Sequence, residues 1–269
     1  MAFAAHLVAS TRGRQRTLLH PEQMRWLWVH LRRAFPRVYA GTLMPDHVHL
    51  LAELGHELRF RRVLSSFTRV FGVRFDPVTQ LANSEAIARR AARYIWLNAV
   101  REGLVNDPFA WPASTLRDLL GAIADPWPLP EGARVGRFLA SLDEQIEHRI
   151  QWPRPGNVVV ASSRALVDAC AAALRLPPAG VTTTPGGRRL VCSLAAEVGD
   201  FERAALGQLL GLHRDSVTRL ARRGAAPHEL IAAKLCLSDE RLRHHGYHLL
   251  APRIGRPHDR STPSRPLTG

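Results

Sequence analysis

Apolar and polar residues alternate along three short segments in the first half of the chain, residues 4–10, 38–43 and 48–54. Alternation with a period of two is typical of half-buried β-strands, so each segment predicts a strand. Apolar residues recur every three to four positions in residues 21–34, 59–71 and 84–101. That period predicts amphipathic helices. Strands mixed with helices in this way indicate an α/β or α+β fold, of which we expect α+β.

Proline-rich sequence separates this half from the rest of the chain. Residues 125–130 read Asp-Pro-Trp-Pro-Leu-Pro, and residues 152–156 read Trp-Pro-Arg-Pro-Gly. Proline at this density ends regular structure, so a boundary is expected here. The predicted units are a domain over 1–125, a linker over 126–156 with one short helix near 135–150, an all-α domain over 157–250, and a disordered basic tail over 251–269.

Composition excludes several classes of protein. Of 269 residues, 46% are hydrophobic and 22% are charged, which is typical of a globular chain that is neither fibrous nor disordered. The longest apolar runs are too short to cross a bilayer, and the N-terminus does not resemble a secretory signal. The cysteines are odd in number and far apart, which predicts small buried side chains in a reducing cytoplasm: Cys170, Cys192 and Cys236.

Charge is the largest departure from an average composition. The chain has 37 basic and 23 acidic residues, and therefore a formal net charge of +14. Such an excess predicts a polyanionic partner, first of all nucleic acid, and a location on the bacterial nucleoid. Apart from Lys234 the basic residues are arginines, whose planar guanidinium donates two parallel hydrogen bonds to a phosphate.

One segment contains two histidines at alternate positions of a predicted strand. Residues 43–51 read Leu-Met-Pro-Asp-His-Val-His-Leu-Leu, so His47 and His49 are expected to point to one face. Two imidazoles so placed form half of a site for a divalent metal ion. The plainer alternative is that two of the 13 histidines happen to alternate in a half-buried strand. Asp46 is interpreted as a turn residue, and a hydrogen-bond partner of a histidine is the alternative.

This segment resembles the signature of the HUH single-tyrosine transposases. A second motif agrees: residues 93–105 read Arg-Tyr-Ile-Trp-Leu-Asn-Ala-Val-Arg-Glu-Gly-Leu-Val, and residues 111–114 read Trp-Pro-Ala-Ser. Both are similar to motifs of the REP-associated tyrosine transposases, in the same order. The resemblance covers about residues 1–120 and implies a ferredoxin-like nuclease domain.

The resemblance also implies roles for individual residues. His47 and His49 would bind a divalent ion, Mg²⁺ or Mn²⁺, and Asn98 would be the third ligand. Tyr94 would be the nucleophile that forms a 5′-phosphotyrosine link with DNA. Considered alone, Tyr94 is better interpreted as an aromatic of an amphipathic core helix. For Asn98 alone, the alternatives are a helix C-cap or an interhelical hydrogen-bonding residue. Ala99 stands where the family usually has proline, which leaves the shape of the helix end open.

A second motif lies in the helical half. In residues 201–223, Gly207 precedes a turn at Gly211, and Val217 and Leu220 supply the apolar face of the following helix. This spacing indicates a helix-turn-helix, although a plain helical hairpin has a similar pattern. The second helix, near residues 214–222, would present side chains that donate to phosphates and base edges: Arg214, Ser216, Thr218, Arg219 and Arg222.

Residues 162–223 as a whole resemble the C-terminal DNA-binding domain of the replication initiator DnaA. The match is looser, since the signature of that domain is represented here only by His213-Arg-Asp-Ser-Val217. It implies binding to duplex DNA. The two resemblances together predict a metal-dependent transposase that nicks and joins single-stranded hairpin DNA, as a monomer or a homodimer.

Two alternative functions stay open. One is a catalytically inactive DNA-binding regulator derived from a transposase. The other is a metal-dependent hydrolase without a covalent intermediate, for which Asp46 or Glu53 would supply the carboxylate. Arginines that could line a path for single-stranded DNA occur in two groups: Arg12, Arg14 and Arg16, and then Arg59, Arg61, Arg62, Arg69 and Arg74.

Overall fold

The computed structural model describes residues 4–83, 85–127, 156, 162–199 and 202–243. The strands are β1 (Ala4–Ser10), β2 (Ala40–Leu43), β3 (His47–Glu53) and β4 (Thr79–Asn83). The helices of the first half are α1 (Pro21–Ala34), α2 (Glu57–Phe71), α3 (Glu85–Arg101) and α4 (Leu116–Leu119). Those of the second half are α5 (Ser163–Leu174), α6 (Pro178–Thr183), α7 (Pro185–Val198), α8 (Arg203–Leu210), α9 (Arg214–Arg223), α10 (Pro227–Ser238) and α11 (Glu240–Arg243).

The strands form one antiparallel sheet in the order β2-β3-β1-β4. Three of them were predicted from alternation, and β4 was not. The predicted helix near 135–150 and the basic tail over 251–269 lie outside the described residues. With a small antiparallel sheet and helices that follow it in the chain, the fold is α+β, as predicted.

Alternation along the strands gives the sheet two different faces. Leu7, Val48 and Leu50 point to the face that packs on α1 and α2, where they are buried with Trp28 and Phe67. Large aliphatic and aromatic side chains dominate this layer, and each contributes about 1.5–3 kcal/mol of transfer free energy when it is fully buried. The opposite face carries Ala4 and Leu51, and it packs on α3.

The second apolar core contains residues from both halves of the chain. Ile95 and Trp96 of α3 belong to the same buried cluster as Leu166 of α5 and Leu190 of α7. Hydrogen bonds join the halves as well, for example from the amide of Ala124 to the carbonyl of Ala173 at 2.9 Å. The domain boundary at residues 126–156 stays a prediction. The described residues before and after it pack against each other.

The most polar contact between the halves centres on Asp118. Its carboxylate accepts two hydrogen bonds from the Arg175 guanidinium, at 2.9 and 2.6 Å, and one from the Trp127 amide at 2.8 Å. Arg175 ends α5 in the left-handed region, at φ 50°, and its guanidinium lies over the Trp28 ring. A charged pair so placed ties α5 to the sheet domain.

The three cysteines are buried and reduced, which confirms their prediction as small core side chains. Burial raises the pKa of the Cys192 thiol to about 11 and that of Cys236 to about 12. No helix in the described part of the chain is long and apolar enough to span a membrane.

Candidate functional site

His47 and His49 lie on one face of β3, as their spacing predicts. Both side chains are buried, and their ring centroids are 4.7 Å apart in an edge-on arrangement. The residues between and after them, Val48 and Leu50, are buried on the opposite face under α1 and α2. The register of β3 is therefore held by an apolar layer, because a slip of one residue would turn both histidines into that layer.

A hydrogen bond to Nδ1 orients each of these two rings. The Nδ1 atom of His47 lies 2.6 Å from Oδ1 of Asp46, so His47 donates and the carboxylate accepts. The Nδ1 atom of His49 lies 3.0 Å from Nε2 of His6 on β1. Asp46 lies in the bend before β3, as its interpretation as a turn residue requires, and in the same place it contacts the histidine. Both rings thus have their Nε2 atoms directed away from the bonds that orient them.

Burial keeps the imidazoles of His6 and His49 neutral. It lowers the pKa of His6 to about 4. It also lowers the pKa of His49 to about 2, and electrostatic interactions with His47, His6 and Arg14 act in the same direction. A neutral imidazole has a free lone pair on one nitrogen, which is the form that binds a metal ion.

The Nε2 atoms face α3. The Nδ2 atom of Asn98 lies 3.1 Å from Nε2 of His47, so the buried amide donates a hydrogen bond to that ring. The Nε2 atom of His49 is buried and has no hydrogen-bond partner among the described residues. An unpartnered buried polar atom costs free energy, and such atoms are rare unless a ligand or a water satisfies them.

Tyr94 lies one helical turn before Asn98 on the same face of α3. Its ring meets that of His49 edge-on, with centroids 5.6 Å apart. The guanidinium carbon of Arg101 lies 5.0 Å from the centroid of the Tyr94 ring. The side chain is 39% exposed, in contrast to the flanking Ile95 and Trp96, which are buried. A large ligand can therefore reach the Tyr94 side chain from solvent.

The end of α3 does not depend on a proline. Gly103 adopts a left-handed conformation at φ 64°, and the Leu104 amide donates to the carbonyl of Ala99 at 2.9 Å. These two features end a helix without a kink within it. Ala99, which replaces the proline usual in the resembling family, is buried and fits this helix end.

Some of the arginines proposed for a DNA path lie near the histidines. Arg14 approaches the site most closely, with Nη1 3.4 Å from both Oδ2 of Asp46 and Nδ1 of His47. Its side chain is largely exposed. Arg12 and Arg74 line a shallow groove beside the C-terminal end of β1. The arginines of α2 are exposed on the surface of that helix. Of these arginines, Arg14 therefore places a positive charge directly at the site.

The donor set suits a divalent metal ion. It comprises the Nε2 atoms of His47 and His49 and the Oδ1 atom of Asn98, whose amide would have to turn so that Oδ1 replaces Nδ2 near His47. The bonds at Nδ1 fix the ring orientations, as partners of metal-binding histidines generally do. Within the described ranges, no group of three or more His, Cys, Asp or Glu side chains is placed to hold a metal ion. A third protein ligand from the described residues would therefore be a group of another type, such as the amide oxygen of Asn98.

The helical half contains the second predicted site. A three-residue connection, residues 211–213, joins α8 to α9. A Cβ atom added at Gly207 would lie 2.6 Å from the carbonyl oxygen of Leu212, so only glycine allows the connection to fold back so closely on α8. Val217 is buried against the rest of the half.

The side chains predicted to contact DNA are distributed over two sides of α9. Arg214, Arg219 and Arg222 are exposed. Ser216 is partly buried and accepts a hydrogen bond from Arg219 at 3.3 Å. Thr218 is also partly buried, and together with Arg222 it lines a groove between α7, α8 and α9.

Comparison with known proteins finds one distant structural match. No protein-family model matches the chain, and no curated protein matches it. A solved structure described as a REP-associated tyrosine transposase bound to a REP hairpin matches 44% of this chain and 79% of its own, at 24% sequence identity and a TM-score of 0.39. The likeness is distant.

Proposed function

We propose that this protein cleaves and rejoins single-stranded DNA, with Tyr94 as the nucleophile. One observation carries the proposal: α3 holds Tyr94 and Asn98 against the paired imidazoles of His47 and His49. The spacing of these residues in the sequence also resembles that of the REP-associated tyrosine transposases. A nucleophile, a potential metal site and a basic surface are thereby combined at one place.

The proposed fold of the first half is ferredoxin-like. Its elements follow one another as β1-α1-β2-β3-α2-β4, and the strands lie in the order β2-β3-β1-β4. This is the βαββαβ succession of that arrangement. It places β1 and β3 at the centre of the sheet, where the strands are least able to shift, and so favours a rigid site.

In the proposed reaction, the hydroxyl oxygen of Tyr94 attacks the phosphorus of a phosphodiester. A bond forms between these two atoms, and the bond from phosphorus to the 3′ oxygen breaks. The hydroxyl loses a proton and the departing 3′ oxygen gains one, so the products are a 5′-phosphotyrosine and a free 3′-OH. The 3′-OH of another strand can then attack the link and restore a phosphodiester.

His47, His49 and Asn98 would hold the divalent ion, Mg²⁺ or Mn²⁺. When bound, that ion offsets the negative charge of the phosphodiester and of the attacking oxygen. All three side chains are uncharged when they bind, so they leave the ion its full positive charge. Arg14 adds a guanidinium at the mouth of the site, where it can attract the DNA backbone.

The test is cleavage of labelled single-stranded hairpin DNA from the flanks of the gene, with Mg²⁺, with Mn²⁺ or with EDTA. We expect a labelled band at the mass of the protein on a denaturing gel, in the presence of metal only. Cleavage without such a band would indicate a hydrolase. Binding of the DNA without cleavage would indicate an inactive regulator.

We expect His49→Ala to lower the affinity for Mn²⁺ by more than about 100-fold. Loss of a residue that only hydrogen-bonds to a metal ligand lowers the affinity by about 10- to 100-fold, and loss of the ligand itself should cost more. Isothermal titration calorimetry measures this directly. His228→Ala, at an exposed position on α10, is the matched control and should bind Mn²⁺ as the wild type does. Equal affinity of His49→Ala and wild type would exclude the metal site.

We further propose that α8 and α9 bind duplex DNA, with α9 in the major groove. The tight connection at Gly207 and the exposed arginines of α9 support this assignment, together with the net charge of +14. Binding of a duplex would raise the local concentration of the catalytic site near a hairpin beside it.

We expect Arg219→Gln to weaken duplex binding and to reduce the slope of log affinity against log salt by about 1, as for loss of one phosphate contact. Fluorescence anisotropy over a series of salt concentrations measures both quantities. Arg164→Gln, on the exposed side of α5, serves as the control for charge alone. If both variants lowered the slope equally, α9 would have no special role.

A further inference from the structure

His6 contacts the candidate metal site but has no part in the proposed reaction. It lies on β1, the strand between β3 and β4. Val8 is the register partner of His49, so His6 is its diagonal neighbour on the same face of the sheet. The side chain is 8% exposed, and its Nε2 atom lies 3.0 Å from Nδ1 of His49.

A hydrogen bond between two imidazoles contains one proton, which can belong to either ring. If His6 donates from Nε2, then the Nδ1 atom of His49 is the acceptor, and the hydrogen of His49 is on Nε2. That tautomer has no lone pair to offer a metal ion from Nε2. If His49 donates from Nδ1, its Nε2 atom keeps the lone pair.

His47 shows how the structure resolves the same choice at the neighbouring ring. Its partner is the carboxylate of Asp46, which can only accept, so the hydrogen is on Nδ1 and the lone pair on Nε2. The Asn98 amide donates toward that Nε2 atom, in agreement. For His49, the described contact at Nδ1 is the ring of His6.

We propose that His6 is a positioning residue: it accepts the Nδ1 hydrogen of His49 and thereby holds the Nε2 lone pair of His49 ready for a divalent ion. This inference rests on the proposed function. The neutral ring of His6 accepts the Nδ1 hydrogen of His49, just as the carboxylate of Asp46 accepts the Nδ1 hydrogen of His47. The Nε2 atom of His49, buried and unpartnered in the protein, is the atom that this arrangement leaves free.

Two measurements on the variants His6→Phe and His6→Gln test the proposal. Phenylalanine keeps a ring but has no acceptor, whereas glutamine supplies a carbonyl oxygen. The tautomer of His49 in metal-free protein is read from ¹⁵N chemical shifts of labelled histidine, assigned with a His49→Ala variant. Affinity for Mn²⁺ is measured by calorimetry, with His228→Phe as the control for loss of an exposed histidine.

We expect wild-type His49 to have its hydrogen on Nδ1. His6→Phe should shift this tautomer and weaken Mn²⁺ binding by about 10- to 100-fold, and His6→Gln should restore both. A hydrogen on Nε2 of His49 in the wild type would overturn the proposal, even if His6→Phe fails to fold. Unchanged Mn²⁺ affinity in a folded His6→Phe variant would overturn it too.

These outcomes are separate from those of the proposed function. If the wild type binds no Mn²⁺, the metal site fails, and the proposal for His6 fails with it whatever the tautomer. If the wild type binds Mn²⁺ but does not cleave DNA, the tautomer and the affinity still decide the role of His6.

Discussion

Tyr94→Phe should abolish the covalent protein–DNA product and lower the rate of cleavage by about three orders of magnitude or more, as expected when a nucleophile is removed. The substitution deletes one oxygen atom and keeps the ring that meets His49 edge-on. Because the side chain is 39% exposed, loss of the hydroxyl should leave the thermal stability unchanged. The measurement is single-turnover cleavage of a labelled hairpin with Mn²⁺, resolved on a denaturing gel.

Tyr39→Phe is the matched control for that experiment. Tyr39 packs at the margin of the core shared by the two halves, and no described contact places it beside the histidines. The Tyr39→Phe variant should cleave the hairpin at the same rate as the wild type. If Tyr94→Phe cleaved as fast as Tyr39→Phe, the reaction would be hydrolytic, and the carboxylates of Asp46 and Glu53 would be the next side chains to replace.

The second large effect is on stability. We expect Asp118→Ala to lower the free energy of unfolding by about 3–5 kcal/mol, since it leaves the Arg175 guanidinium without its partner at a largely buried position. The carboxylate also accepts the Trp127 amide, which would lose its acceptor. Urea denaturation measures the change as a shift of the midpoint at constant slope.

A neighbouring carboxylate provides the control. The Asp125 side chain is 84% exposed where it pairs with Arg32, whereas that of Asp118 is 0% exposed. Because an exposed pair contributes about 0–1 kcal/mol, Asp125→Ala should be nearly neutral. Equal destabilisation by the two substitutions would show that the contact at Asp118 is not what joins α5 to the sheet domain.

Local periodicity predicted much of the fold. Alternation identified β1, β2 and β3 nearly to their ends, and a helical period identified α1, α2 and α3. Strand β4 was missed because its sequence, Thr-Gln-Leu-Ala-Asn, contains little alternation of apolar and polar residues. Pro178 and Pro185 are the first residues of α6 and α7, a position that suits proline.

The candidate site was predictable only in pieces. A period of two places His47 and His49 on one face, and a period of 3.6 does so for Tyr94 and Asn98. Periodicity does not predict that this face of β3 packs against this face of α3. Only the family resemblance suggested that tertiary contact. His6 was missed altogether, because nothing in a single sequence states which residue of β1 will lie beside His49 in the sheet.

The connection between the halves was likewise hidden. Dense prolines at 125–130 and 152–156 predict two separate units, yet α5 and α7 share a core with α3. The sequence did not show that Arg175 links the two halves, since its partner Asp118 is 57 positions away.

The most direct test of the central claim is to identify the residue that carries DNA. Protein that has reacted with hairpin DNA and Mn²⁺ is digested with nuclease and trypsin and analysed by mass spectrometry. Cleavage after Arg93 and Arg101 releases a peptide, residues 94–101, in which Tyr94 is the one tyrosine. We expect this peptide to carry a nucleotide 5′-phosphate on Tyr94. A nucleotide on any other residue, or cleaved DNA with no modified peptide, would contradict the account.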